Sequence, residues 1–578
     1  MSPVLPPVAP DVTAELVGAL SPRLRKRLDA GVAKLAGRPV VVDGDTVHIA
    51  VDDDTDLELH APGGVVTSAD AIRCGCLLAP DCLHRAAVAS AAPVADAAET
   101  TADTAPTAPS PDPEPTAPAD SATPDQHSAA HTLHTAAAAV LDAGTDGAGA
   151  VLQAELLRAA HTARLAGLPR AAASAVAVVT GLRAARGADP SYRLTDLVTA
   201  LRAVLGAAHR LPHATGPELA ALRGSVRQPY TPDGSLRLYG LFSEPVLTAA
   251  GYAGAVTWTA DAEGRLYTVS DVAPGGSGRA VGAAERAVRI GDTALSHREL
   301  SRAGLAVSGA TVSPTGRLGA GKGVRAVRAS GVAWDGEPLD RLWSVPAAEQ
   351  AVRALSDDRH DLLFLDVTLL GTVREAAGDC LLADCGGLTV RLAAAHDHPA
   401  LPYRDNLRLL SAAPGTRLRV VARLSPAPHA RALLLATAHP TDPKARVDLG
   451  FDRLQHADLP TGAATPPSAP APASNEPPLH LLRRRVHQTA SGGRRVLAFP
   501  GDSAFDSRRL QRLGLATAGD LLDELHAAAA DRDRDAFGRL VPADVDRFAR
   551  AWLGAAHYTA EVDRALCAAA WGAEPGAI

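Results

Sequence analysis

The chain has 578 residues, of which 47% are hydrophobic and 21% charged, with a formal net charge of −7. That length exceeds what a single core supports and implies several domains. The acidic balance removes any whole-chain case for nucleic-acid binding, and no apolar run reaches the roughly 20 residues that span a bilayer.

Aromatic residues make up only 3%, and lysine occurs only at Lys26, Lys34, Lys322 and Lys444, so arginine carries nearly all the positive charge. That is the bias of a high-GC genome. Residues 1–11 lack the basic start and apolar core of a secretory signal. The longest apolar candidate, 171–182, is short and bounded by Arg170 and Arg183. The expectation is a cytoplasmic protein, with no membrane contact and with reduced thiols.

Residues 12–90 read as a first module. Ser21-Pro22 marks a helix start, with proline in the first turn. Leu24, Leu28, Val32 and Leu35 then form one helical stripe, decorated by Arg23, Arg25, Lys26, Arg27, Lys34 and Arg38. This basic face is either a solvated helix surface or a contact for nucleic acid or a protein partner. Strand-like runs follow at 40–51 and 57–59, with turn chemistry at Asp43-Gly44 and Pro62-Gly63-Gly64.

Next comes Cys74-Gly75-Cys76, then five residues, then Cys82-Leu83-His84. Half of the chain's six cysteines fall within the nine residues from Cys74 to Cys82. Three thiolates and one imidazole are the full ligand set of a four-coordinate zinc site. In C-x-C both sulfurs can face one point if the chain turns at the middle residue, a turn that Gly75 permits. In C-x-H the thiolate and the longer imidazole reach the same point from the start of a helix, which Arg85 to Ala89 can continue. Four protein ligands leave no position open for water or substrate. Such a site is structural, and its binding free energy becomes folding free energy.

The C-x-C-x5-C-x-H pattern, with its strand–strand–ligand–helix order, resembles the SWIM-type zinc finger over roughly residues 40–90. The resemblance implies one structural Zn2+ held by Cys74, Cys76, Cys82 and His84. It also implies DNA or protein binding rather than catalysis. Free-standing actinobacterial proteins of this kind are associated with MoxR-type AAA+ ATPases and von Willebrand A-domain proteins, so those are the implied protein partners.

Residues 91–130 form an Ala/Pro/Thr/Asp linker without lysine or arginine, expected to be disordered and to tether the finger flexibly. Residues 131–225 read as helical: Leu152, Leu156 and Leu157 give one stripe, and Leu194, Leu197, Leu201, Val204 and Leu205 another. Residues 226–345 turn to strands, with a hairpin of 255–259 and 266–269 around Asp261-Ala262-Glu263-Gly264 and with Trp258 in its core. Within 346–445, strands are expected at 362–370, 380–383, 388–392, 417–424 and 432–438. The longer connection between the third and fourth suggests an OB-type barrel, with an antiparallel sandwich as the alternative. A Pro/Ala linker at 461–478 leads into a helical segment, 479–578. There Thr517 to Asp520 resembles a capping box, and Val545, Phe548 and Trp552 share one face. The fold class is α+β and multidomain: a small ββ-zinc-α module, a helical domain, a β-rich middle and a helical C-terminal segment.

Other motifs carry less. Residues 316–323 nearly match a phosphate-binding loop, but Gly323 stands where a Ser or Thr must hold Mg2+, and a strand pattern follows instead of a helix. Cys380 and Cys385, with His396 and His398, are either a second zinc site or core thiols. Arg483, Arg484 and Arg485, with Arg494, Arg495, Arg508, Arg509 and Arg512, suit phosphate or an acidic protein surface. Only Phe364 and Tyr403 offer base stacking in the barrel-like unit. No constellation of acid, base and nucleophile is visible. The reading is a non-enzymatic zinc-containing scaffold or adaptor; the alternative is a DNA- or RNA-binding protein using the basic helix and the finger.

Overall fold

The computed structural model describes residues 5–52, 55–95, 121–190, 192–224, 230–248, 252–291, 293–321, 323–356, 360–375, 378–460, 479–498, 503–531, 535–539, 541 and 543–574. Most of the expected linker at 91–130 and all of that at 461–478 lie outside these residues, as does Lys322. The chain is multidomain α+β and divides into two compact units. One contains 1–226 and 477–559, the other 227–476 and 560–578.

In the first unit, strands β1 (Val40–Asp43), β2 (Thr46–Asp52), β3 (Thr55–His60) and β4 (Ile72–Cys74) form an antiparallel sheet in that order. The run at 40–51 therefore folds back on itself at Gly44, whose φ of 57° is the left-handed conformation glycine tolerates. Upstream, the expected single basic helix is two, Pro22–Arg25 and Leu28–Leu35. The break lets Leu28 and Leu35 turn inward. The helix Leu83–Ala91 closes the module on a core of Leu28, Leu57, Leu59, Ile72, Ala86 and Val88.

That core continues into the helical body. Ala150 and Ala154, on the helix Ala150–Leu165, belong to the same apolar cluster. The Asp29 carboxylate accepts the Ala150 backbone N–H at 3.0 Å, capping that helix, and an Arg186 N–H at 3.0 Å. Half-buried Arg183 donates to the Ala92 carbonyl at the end of the helix Leu83–Ala91. The expectation of a loosely tethered finger is therefore corrected: the module packs against the body through shared core and polar contacts.

The helices Ala150–Leu165 and Leu194–Arg210 carry the two anticipated apolar stripes, burying Leu156 and Leu157 on the first and Leu197, Leu201, Val204 and Leu205 on the second; Pro124–Gly147 and Pro169–Arg186 pack with them. Helices from the C-terminal segment pack onto them. Gly144 (φ 69°) and Gly493 (φ 70°) meet back to back, and a Cβ on Gly144 would sit 2.3 Å from the Gly493 nitrogen. The helix Ala516–Ala530 begins at Leu515 without a side-chain cap. Thr517 thus lies inside it, and the expected capping box does not form. Phe548 and Trp552 are fully buried, as their spacing indicates.

The second unit contains a five-stranded antiparallel sheet in the order β7-β6-β5-β8-β9, made of Thr231–Leu247 (β5), Tyr252–Ala260 (β6), Leu266–Pro274 (β7), Gly304–Val312 (β8) and Arg325–Ala329 (β9). The expected hairpin is β6–β7, closed by the Asp261 carboxylate, which accepts the Glu263 and Arg265 N–H groups. Trp258 is half-buried, stacked on Phe242, and donates to Glu244 at 2.8 Å.

Beside this sheet, β10 (Leu362–Glu375), β11 (Gly378–Cys385), β12 (Leu388–Ala394), β13 (Arg417–Leu424) and β14 (Arg431–His439) match the five sequence-read strands. The first pairs with the second and fourth, and the third runs parallel to the fifth. The ring β10-β11-β12-β14-β13 therefore closes, with the helix Tyr403–Ser411 between β12 and β13. That is the OB-type order, not a two-sheet sandwich. A sixth strand, β15 (Asp442–Asp448), adds to β14. Among the described residues, no helix is long and apolar enough to cross a membrane.

Candidate metal centre

Local structure delivers the four ligands to one point. Cys74 ends β4, where it sits opposite Leu57 of β3. Gly75 donates its N–H to the Asp56 carbonyl at 3.0 Å, so the chain leaves the sheet edge still tied to it. The φ of Gly75 is not left-handed, and a Cβ there would approach the Asp56 backbone no closer than 3.9 Å. Gly75 thus permits the turn without being required for it. Cys82 is the N-terminal boundary residue of the helix Leu83–Ala91, and His84 lies in its first turn.

The ligand atoms of Cys74, Cys76, Cys82 and His84 all lie within 4.8 Å of one another, and Cys74 Sγ is 3.7 Å from His84 Nδ1. Ligands at tetrahedral zinc distances are separated by about 3.6–3.8 Å. The group therefore has the chemistry and approximate spacing of a four-coordinate metal site. It is the single such cluster among the described residues.

The donors' electrostatics call for a cation. Burial pushes the Cys74 thiol up to about 12, and the neighbouring sulfurs of Cys82 and Cys76 add repulsion to its ionisation. Burial likewise raises Cys82. Burial also acts against Cys76, but the backbone N–H of Leu78 and hydrogen bonds with the other two thiols outweigh it and hold Cys76 below the ordinary thiol range. Three sulfurs this close cannot all ionise without a positive charge between them.

Arg85 braces the loop and was missed by the sequence reading. Its buried guanidinium donates to the carbonyls of Ile72 (2.5 Å), Pro80 (2.6 Å) and Ala69. It links the strand bearing Cys74 to the loop that carries Cys82. Its position directly after the last ligand was the available signal. Also missed were Leu77 and Leu78, between the second and third ligands, which are exposed at 103% and 64%. The module's charge went unremarked as well: from Val40 to His84 the sequence has nine acidic residues and one arginine, Arg73.

The proposed basic contacts differ in how the fold uses them. Arg25 donates to the Leu20 carbonyl at 3.0 Å and to the Gly18 carbonyl at 2.5 Å, closing the end of the helix Pro10–Ala19. Arg23, Lys26 and Arg27 are exposed. Of the Arg483–Arg485 run on the helix His480–Gly492, Arg484 is exposed and Arg483 half-buried, while Arg485 bonds Gln488 and Asp506. Arg494 is buried, bonded to Asp142 at 2.6 Å and to the carbonyls of Ala528 and Asp544. Phe364 and Tyr403 are core residues, 2% and 1% exposed, and have no face for a base.

In the second unit, Cys380 and Cys385 lie on β11, and Cys380 faces Glu375 rather than His396 or His398. No second metal group forms there among the described residues. A concavity of about 780 Å3 beside the barrel is lined by Glu375, Arg431, Arg374 and Arg404. Its charges are paired: Glu375 with Arg431 and Arg391, Arg374 with Asp379, Arg404 with Asp397. Burial pushes the adjacent Cys380 thiol up to about 11, the wrong direction for a nucleophile. The segment 316–323 leads into β9, a strand, where a phosphate loop needs a helix.

No protein-family model matches this chain, and neither a curated protein nor a solved structure matches it.

Proposed function

We propose that this chain is a zinc-containing scaffold or adaptor of the SWIM type, with Cys74, Cys76, Cys82 and His84 holding one structural Zn2+ and a protein as its partner. The observation that carries the reading is the four-ligand cluster, whose spacing suits zinc and which leaves no vacancy for chemistry. Bound zinc would supply the charge that lets three thiols ionise together and would lock the strand–loop–helix junction.

Protein is favoured over nucleic acid by charge. From Val40 to His84 the sequence carries nine acidic residues and one arginine, a balance that repels a phosphate backbone. Of the basic residues offered for nucleic-acid contact, Arg25 and Arg494 are committed to internal hydrogen bonds. A MoxR-type AAA+ ATPase or a von Willebrand A-domain protein is the partner proposed on the family resemblance.

Two measurements test the reading. Metal analysis of the intact protein should find one equivalent of zinc. Affinity capture from host lysate, with and without nuclease, should retain a protein partner after nuclease treatment. A metal-free folded protein defeats the zinc assignment, and partners that vanish with nuclease turn the account to nucleic acid.

A further inference from the structure

We propose that the leucine-tipped metal loop docks onto the cationic outer face of the helix Ser503–Arg512 of a second copy of this chain. The inference rests on the scaffold reading above in one respect: the loop between Cys76 and Cys82 must be closed by metal to present its tip.

The tip is an apolar knob in an acidic setting. Leu77 is fully exposed and Leu78 largely so, and neither contributes to the module's core. The Ala79 N–H donates to the Cys76 carbonyl at 3.1 Å, and Arg85 holds the Pro80 carbonyl, so the loop is fixed with its leucines outward. Leaving two leucines in water forgoes the gain of burying them. Asp56, Asp70 and Asp81 are exposed on the same module.

The opposite character appears on the helix Ser503–Arg512. Ser507, which donates to Asp523 at 2.6 Å, and fully buried Leu510 fix its inner face. At 100° per residue, Phe505, Arg509 and Arg512 then fall on the outer face. Phe505 is 53% exposed, and Leu513, just beyond the helix end, is 57% exposed. Asp506 is drawn away by Arg485 at 3.4 Å, so the face is cationic with apolar ends.

The occupant is assigned by charge complementarity. A module whose exposed Asp56, Asp70 and Asp81 outnumber its exposed Arg73, tipped by two leucines, suits a cationic surface flanked by a phenylalanine and a leucine. This chain carries one of each, in the same compact unit. Among the described residues, none covers Leu77 or Phe505. Because the two faces differ, the contact is head-to-tail, and it propagates as a ring or an open string. The apolar surface involved is small, so association should be weak and concentration-dependent.

Sedimentation of the full-length, zinc-loaded protein at rising concentration tests this. The wild-type mass should climb above that of one chain and fall back at high salt. The tip variant Leu77→Ser/Leu78→Ser and the face variant Phe505→Ser/Leu513→Ser should each stay monomeric while retaining zinc. Mixed in equal amounts, they should form a dimer and nothing larger, because one intact tip then meets one intact face. Should the face variant misfold, Arg509→Glu/Arg512→Glu replaces it, since it reverses charge at two exposed positions and leaves the inner face untouched. A zinc-loaded wild type that remains monomeric overturns the proposal, as do variants that still associate or a mixture that stays monomeric. Each of those results leaves the zinc and adaptor reading standing. A protein that binds no zinc brings that reading down first.

Discussion

The carboxylate of Asp29, on the helix Leu28–Leu35 of the N-terminal module, accepts the backbone N–H of Ala150, 121 residues later, at 3.0 Å. The same oxygen takes Arg186, and Ala150 itself packs into that module's core. The N-terminal module and the helical body are thus coupled in packing as well as in sequence. Cys82→Ser, which removes a buried ligand, should abolish zinc binding. It should also loosen the body helix Ala150–Leu165, which loses both its cap and its apolar neighbour. Hydrogen exchange on zinc-free and zinc-loaded protein reads this directly. Loss of protection should extend from residues 28–91 into 150–165. Loss confined to the finger would show that the Asp29 contact transmits nothing.

Arg85 makes a second prediction. One guanidinium satisfies three carbonyls, at Ile72, Pro80 and Ala69, that the ligand loop cannot satisfy itself. Removing a group that orients metal ligands typically lowers affinity 10–100-fold, so Arg85→Ala should weaken zinc binding by about that factor. Arg85→Lys should rescue little, because an ammonium lacks the planar fork that spans three acceptors. Competition with a chelator of known affinity gives the number.

How far the sequence was legible depends on the range of the interactions. The ligand cluster spans eleven residues, and its spacing alone gathers it. The five barrel strands and the β6–β7 hairpin follow from alternation and turn chemistry, which are also local. What was not legible is long-range. Arg25 and Arg494 are ordinary members of basic runs until the fold shows which carbonyls they face, at Leu20 and at Ala528 and Asp544. Thr517 has the pattern of a cap, yet the helix starts at Ala516 because Ala518 and Gly519 are needed in the core. The leucines at 77 and 78 would be assigned to a core by hydropathy, and only the geometry of the loop puts them in water.

Arg494 shows the difference between a charge and a contact. It pairs with Asp142 at 2.6 Å, bonds two carbonyls, and lies over the Phe548 ring at 4.6 Å. Arg494→Ala leaves the two carbonyls without their donor and removes the partner of half-exposed Asp142. The expected cost is about 1–3 kcal/mol, the range for stranding a buried hydrogen-bonding group. Arg495→Ala, next to it and exposed, should change stability by less than about 0.5 kcal/mol. Urea denaturation of the two variants separates a structural arginine from a surface one. Equal effects would refute the assignment.

The second unit carries a pH dependence of definite sign. His297 is fully buried, its Nδ1 is 2.7 Å from Thr257 Oγ1, and Thr257 bonds Ser243 at 2.8 Å. Burial lowers the imidazole from 6.5 to about 4, with Asp271 opposing weakly. Between those values the unfolded chain binds a proton that the folded chain refuses. Stability is therefore undiminished above about pH 6.5, falls as pH drops towards 4, and levels off below it. The displacement corresponds to about 3 kcal/mol. His297→Asn can keep a hydrogen bond to Thr257 without titrating. The stability difference between wild type and variant should therefore shrink or reverse as pH falls through that window. Chemical denaturation at pH 7.5, 5.5 and 4.5, followed by a probe in the second unit, decides it. Curves that stay parallel across the three would mean that His297 takes up its proton in the folded state.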